Sequence, residues 1–131
     1  MTVNKRNFIV IDDNKLDCFI EQKVILNTGH SNEVTLFLDA NDAIDFIKNN
    51  LPGETEEKNI IIVDIQMPLM DGFEFVEAFE NLPPACQDKY QIYMLSSSIN
   101  ESDLNRVRNY KSVKQIISKP LSIKKLTALI E

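Results

Sequence analysis

The chain has no tryptophan, one histidine, two cysteines and three glycines in 131 residues. Each scarcity closes a class of chemistry. A single histidine, His30, supplies neither a metal-binding pair nor a catalytic triad. It stands in Thr28-Gly29-His30-Ser31-Asn32, a turn-forming stretch, and is read as a loop residue without special role. Cys18 and Cys86 have no second Cys or His at ligand spacing, which argues against zinc and for two free thiols. Cys18 falls in a helical pattern and Cys86 in a proline-rich loop. No apolar run approaches the length of a membrane span, and Met1-Thr2-Val3-Asn4-Lys5-Arg6 lacks the apolar core of a signal peptide, so a cytoplasmic protein with no membrane partner is expected. Basic residues are outnumbered as well, 14 against 20 acidic. The resulting net charge of −6 disfavours non-specific nucleic-acid binding. An apolar share of 44% and a charged share of 26% describe an ordinary globular chain, with the length of one domain, 1–131.

What is present is a series of short apolar runs, each ending on a polar residue. Asn59-Ile60-Ile61-Ile62-Val63-Asp64 is the clearest: four β-branched residues make a strand covered on both faces, and the run stops on a carboxylate. Met67-Pro68 and Asp71-Gly72 punctuate the loop that follows. Phe73, Val76 and Phe79 then resume at helical spacing, with Asp71 and Glu74 as a capping-box-like start. Earlier, Phe8-Ile9-Val10-Ile11 ends on Asp12-Asp13, and a helix follows whose apolar stripe reads as Leu16, Phe19, Ile20 and Val24, stopped by Thr28-Gly29.

Glu33 to Leu38 alternates, with Val34, Leu36 and Leu38 on one side, as an edge strand would. Asp39 or Asn41 caps a helix carrying Ala43, Ile44, Ile47 and Leu51 inside, ended by Pro52-Gly53. Gly53 to Lys58 reads as an exposed loop. Leu82-Pro83-Pro84 ends the third helix. Gln91 to Leu95 is a fourth strand running into Ser96, and Ser98 or Asn100 caps a short helix with Leu104 and Val107. Val113 to Ile117 is a fifth strand, followed by Ser118-Lys119-Pro120. Ser122 starts a last helix with Ile123, Leu126, Leu129 and Ile130 inside. Five strands alternating with five helices predict an α/β fold: a five-stranded parallel, doubly wound sheet, flavodoxin-like, ordered 2-1-3-4-5.

In that order strands one and three are neighbours at the point where the winding reverses, and ligands bind outside the carboxyl ends of the strands there. Asp12, Asp13 and Asp64 converge at that point, with Ser96 and Lys119 arriving from the other flank. Clustered carboxylates repel one another unless something positive joins them. Hard oxygen ligands describe a magnesium site better than zinc or calcium. Beside Mg²⁺, Asp64 stays ionised and able to act as a nucleophile, with the Lys119 ammonium and the Ser96 hydroxyl to receive phosphoryl oxygens.

Val10-Ile11-Asp12-Asp13, Val63-Asp64-Ile65-Gln66-Met67-Pro68-Leu69-Met70-Asp71-Gly72, Met94-Leu95-Ser96-Ser97 and Ser118-Lys119-Pro120 together resemble the receiver domain of two-component response regulators, over essentially the whole chain. The resemblance implies that Asp64 is the phosphoacceptor, taking a phosphoryl group from a phosphohistidine of a sensor histidine kinase or phosphotransfer protein. It implies that Asp13, Asp64 and the backbone carbonyl of Gln66 hold Mg²⁺, with Asp12 acting mostly through water. It further implies that Ser96 is the switch hydroxyl and that Lys119 pairs with the phosphoryl oxygens. The Lys119-Pro120 bond, often cis in this family, would aim the lysine inward.

One position departs from the pattern: Ile116 stands where such receivers commonly carry Tyr or Phe, and a branched aliphatic chain cannot swap ring positions. Tyr93 and Tyr110 are the nearby aromatics. The expectation is that phosphorylation moves Ser96 and the loop after it, with a different rearrangement at the last two helices.

Two rivals are weighed against the receiver. An aspartate-nucleophile phosphatase usually carries a second Asp two residues after the nucleophile, and here Gln66 stands there, so the chain is expected to be no enzyme beyond its own phosphorylation and dephosphorylation. A phosphate-independent interaction module of receiver fold is disfavoured by Asp12, Asp13, Asp64, Ser96 and Lys119 being intact. Within the receiver reading, the expected output is either a stand-alone switch acting on a downstream protein target or a phosphorelay intermediate. The initial Met favours a natural start over excision from a longer protein.

Overall fold

A computed structural model describes residues 5–50 and 58–130. Five parallel strands form one sheet: β1 (Arg6–Ile11), β2 (Ser31–Phe37), β3 (Asn59–Asp64), β4 (Tyr90–Ser96) and β5 (Val113–Ser118), in the order β2-β1-β3-β4-β5. The fold is the doubly wound, flavodoxin-like architecture expected from the alternation. β3 lies at its centre and is buried at every residue, which its β-branched run requires.

The helices pack on both faces. On one side, α2 (Ala40–Asn49) and α3 (Gly72–Glu80) cover a core in which Ala43, Ile47, Phe75, Val76 and Phe79 meet Ile61, Val63 and Met94 of the sheet. On the other, α1 (Lys15–Thr28) and α6 (Ile123–Ile130) enclose Phe8, Val10, Ile60, Ile62 and Leu95 with Cys18, Ile25 and Leu126. Between β3 and β4 stands a short helix, α4 (Pro84–Gln87), and α5 (Glu101–Val107) joins β4 to β5.

The helix starts follow from their caps. Asn14, Asp39, Asp71 and Asn100 each accept a backbone N–H of the first turn, and Asp71 with Glu74 completes a reciprocal capping box. Gly29, with φ 76°, closes α1 in the left-handed region that glycine enters without a Cβ penalty.

Four readings of the sequence need correction. Among the described residues there are six helices, because Pro84, at a position where the missing N–H costs nothing, opens α4 inside what reads as a loop; Cys86 is buried there. The stripe of α1 is inverted: Leu16, Phe19 and Ile20 face outward, Leu16 being 65% exposed, while Cys18, Glu21 and Ile25 face the sheet and Val24 sits half-buried at the boundary. The inward face carries a glutamate, so hydropathy selects the wrong face of this helix. In β2, Leu36 and Leu38 are exposed, while Val34 packs toward the α1 side and Phe37 against Phe46 on the other, the edge strand being only partly covered by helices. In α6, Ile123, the first helical residue, is exposed, and Leu126 and Ile130 form the inward face. Leu51, Pro52-Gly53 and most of the 53–58 loop lie outside the described residues.

Candidate functional site

Register places the first two carboxylates. Ile11 pairs with Val63, so Asp12 emerges beside Asp64 at the carboxyl ends of adjacent strands, and the Asp12 N–H is held by the Phe37 carbonyl of β2. Leu95 pairs with Asp64 and Ser96 with Ser118, which brings the end of β5 and Lys119 to the same rim. The Lys119-Pro120 peptide is cis, and the Lys119 N–H donates to the Ser96 carbonyl at 2.8 Å.

The loop after Asp64 is shaped by close approach. The Ile65 N–H donates to the Leu95 carbonyl and the Gly72 N–H to the Ile65 carbonyl, folding α3 back over the strand end. Leu69 takes a left-handed φ of 66° at the tip, a conformation that costs a branched residue about 1 kcal/mol or more.

The side chains converge as the strand ends predict. Asp12, Asp13 and Asp64 each present an oxygen, all within 4.8 Å of one another. The Lys119 ammonium stands 3.0 Å from Asp12 Oδ2 and 3.3 Å from Asp64 Oδ2. Asp64 is further fixed by the Gln66 N–H, which reaches its Oδ1 at 3.4 Å. Ser96 is fully buried, and its hydroxyl accepts the Ser98 N–H at 3.1 Å within its own loop.

Two carboxylates here do not stand out in sequence. Asp17 Oδ2 lies 3.0 Å from the Lys119 ammonium, and Glu21, one turn further along α1, is 4% exposed with its Oε1 unpartnered. Asp12, Asp17 and Glu21 form a second acidic trio sharing Asp12 with the first. The only sequence signal for them is the i, i+4 spacing of two acids directly after Asp12-Asp13, which ordinary helix surfaces also show.

Charge and burial set the protonation of the group. Burial raises the Asp64 carboxyl above its ordinary value; Lys119 opposes the rise and Asp12 adds to it. Burial works against the Lys119 ammonium, but its hydrogen bonds to Asp17 and Asp12 and the charges of Asp12 and Asp64 outweigh that, holding it charged above the usual lysine range. Glu21 is pushed up to about 8 by burial first and by Asp12 second. Cys18, whose thiol donates to the Asp12 carbonyl, is pushed up to about 12 by burial and is an inert packing residue.

The donor set fits magnesium. Three carboxylates, of which Asp12 and Asp64 are buried and Asp13 is open to solvent, offer hard oxygens and leave room for water. Lys119 pairs with two members of each trio, Asp12 and Asp64 of the first and Asp12 and Asp17 of the second. Among the described residues no histidine or thiolate joins the first trio, so nothing there favours zinc.

Ile116 is buried in the core shared with α2 and α3, while Tyr93 belongs to the opposite core. Tyr110 lies tilted against the Phe73 ring and donates its hydroxyl to Glu77, tying the segment after α5 to α3.

Residues 8–131 match the family model of the response regulator receiver domain. Among solved structures, the chain is similar to a response regulator receiver protein from Dyadobacter fermentans, 32% identical, with a TM-score of 0.84 over 95% of this chain and 94% of that one. A two-component response regulator from Cytophaga hutchinsonii is 27% identical, with a TM-score of 0.85 over 97% and 95%. A chemotaxis protein of Vibrio cholerae, 19% identical with a TM-score of 0.75 over 96% of each chain, shares the fold.

Proposed function

The chain belongs to the response regulator receiver domain family, and from that membership we propose that it is a phosphorylation-controlled switch whose phosphoacceptor is Asp64. The observation that carries this reading is the ammonium of Lys119 set 3.3 Å from Asp64 Oδ2 at the end of a buried strand, beside the open acidic trio. In the proposed step an Asp64 oxygen attacks the phosphorus of a phosphohistidine. The O–P bond forms, the P–N bond breaks, and the imidazole nitrogen leaves with the electron pair and takes up a proton.

This chain's own residues orient and neutralise. Lys119 holds a phosphoryl oxygen, the Ser96 hydroxyl turns from its loop toward another, and the Gln66 N–H fixes the carboxylate. Asp12, Asp13, Asp64 and the Gln66 carbonyl would hold Mg²⁺, which supplies charge neutralisation for the transferring oxygens.

The donor in this reading is a sensor histidine kinase or a phosphotransfer protein in the cytoplasm. Leu16, Phe19 and Ile20, exposed on the helix that carries Asp17, give it an apolar surface. The protein turns over no outside substrate: Gln66 offers no acid or base where a hydrolase needs one. Output passes to a protein target through Ser96 and its loop, Ile116 being buried aliphatic packing. A phosphorelay intermediate uses the same chemistry, with the phosphoryl group passed to a second histidine.

Incubation with acetyl phosphate and Mg²⁺ tests the reading by intact mass. One phosphoryl group per chain, absent from Asp64→Asn and from EDTA-treated samples, is expected. Labelling that survives Asp64→Asn, or none in the wild type, would overturn it.

A further inference from the structure

The Lys119 ammonium is shared among three carboxylates. It donates hydrogen bonds to Asp12 and Asp17 at 3.0 Å and forms an ion pair with Asp64 at 3.3 Å. A phosphoryl oxygen that engages Lys119 therefore competes with these partners. The three are unequal. Asp12 and Asp64 belong to the trio that fits a divalent cation, so a bound cation shares their charge. Asp17 lies outside that trio, on α1, with its side chain 36% exposed, and keeps its full hold on the ammonium.

We propose that Asp17 is a positioning residue that competes with the phosphoryl group for Lys119, drawing the ammonium toward α1 in the unphosphorylated protein and releasing it when Asp64 is phosphorylated. This rests on the reading of Asp64 as phosphoacceptor. Two consequences follow from the geometry. The Asp17–Lys119 pair raises the cost of loading the site, and its release unties the first turn of α1 from the end of β5. The exposed residues of that turn thereby receive a signal that the buried Ile116 does not carry.

The test is a titration of the full chain with beryllofluoride and Mg²⁺, followed by ¹⁹F and amide NMR. Asp17→Asn should bind the phosphoryl mimic roughly threefold to tenfold more tightly than wild type, the effect of freeing a half-buried ion-pair partner. Asp17→Glu, which keeps the charge, should return toward the wild-type affinity. Asp103→Asn removes an equal charge from the cavity rim beside Gln66 and Met67, and should leave the affinity unchanged. The first-turn amides of α1 should shift on binding in the wild type and much less in Asp17→Asn. Unchanged or weaker binding in Asp17→Asn, or an equal gain in Asp103→Asn, overturns the competition while leaving Asp64 as acceptor. Failure of the wild type to bind the mimic sinks both readings.

Discussion

Gly72 and Asp64 are packed backbone to backbone: a Cβ placed on Gly72 would stand 2.7 Å from the Asp64 carbonyl oxygen and 2.8 Å from the Ile65 Cα. Neither neighbour is the movable end of a side chain, so the contact is relieved only by shifting α3 or the strand end. The glycine of the Asp71-Gly72 pair is thus a distance requirement, separate from any turn.

Gly72→Ala is expected to lower stability by about 1–3 kcal/mol, the usual cost of overpacking, and to slow labelling by acetyl phosphate because Asp64 moves with its carbonyl. Urea unfolding and the labelling rate check both halves. A variant with wild-type values in both would mean that α3 adjusts without strain.

Lys119→Met leaves the fully buried Asp12 without its ammonium partner. Removing one member of such a pair should cost about 3 kcal/mol in metal-free buffer. Mg²⁺ should recover part of that loss, since it supplies charge to Asp12, Asp13 and Asp64 and binds only the folded chain. The midpoint of thermal unfolding with and without Mg²⁺ measures this; a rise no larger in the variant than in the wild type would refute it.

Glu21 makes stability fall with pH. Burial first and Asp12 second push its carboxyl from the ordinary 4.5 up to about 8 in the folded chain. Between those values the folded chain holds a proton the unfolded chain has released, so stability declines as pH rises through the window. Asp64, also raised, acts in the same direction. In EDTA, the unfolding free energy of the wild type should drop from about pH 5 to about pH 8, and Glu21→Gln should flatten that drop. Parallel curves for the two proteins would exclude Glu21 as the source.

Asp71→Ala removes the carboxylate half of the capping box that begins α3, leaving the residue-71 backbone N–H to donate to Glu74. About 1 kcal/mol should be lost. Amide exchange should quicken first at Glu74, whose N–H the Asp71 carboxylate holds; uniform quickening across the chain would point to a global effect instead.

Most of the sheet, and the convergence of Asp12, Asp13, Asp64 and Lys119, was legible because each strand is a short apolar run ending on the residue that matters. A parallel sheet buries its strands on both faces, so the pattern has little competition. The capping box and the Gly29 stop were equally plain, both being local chemistry.

The helices were harder. Cys18, Glu21 and Ile25 form the inward face of α1, and a hydropathy reading discards it for containing a carboxylate. Asp17 and Glu21 were missed for the same reason: their value depends on Lys119, which lies about a hundred residues away in sequence. α4 was hidden because two prolines read as a stop, when the second of them also makes a good first helical residue.

β3 is shared by both cores: Ile60 and Ile62 face α1 and α6, while Ile61 and Val63 face α2 and α3. Its amides should therefore be among the last to exchange with deuterium, opening only when the whole domain opens. A carboxylate mounted on so stiff a support has little freedom to travel when its charge changes. In the proposed switch, the mechanical response to phosphorylation is taken up by what surrounds Asp64, in the loops and the lysine, with the strand acting as the fixed point against which they move.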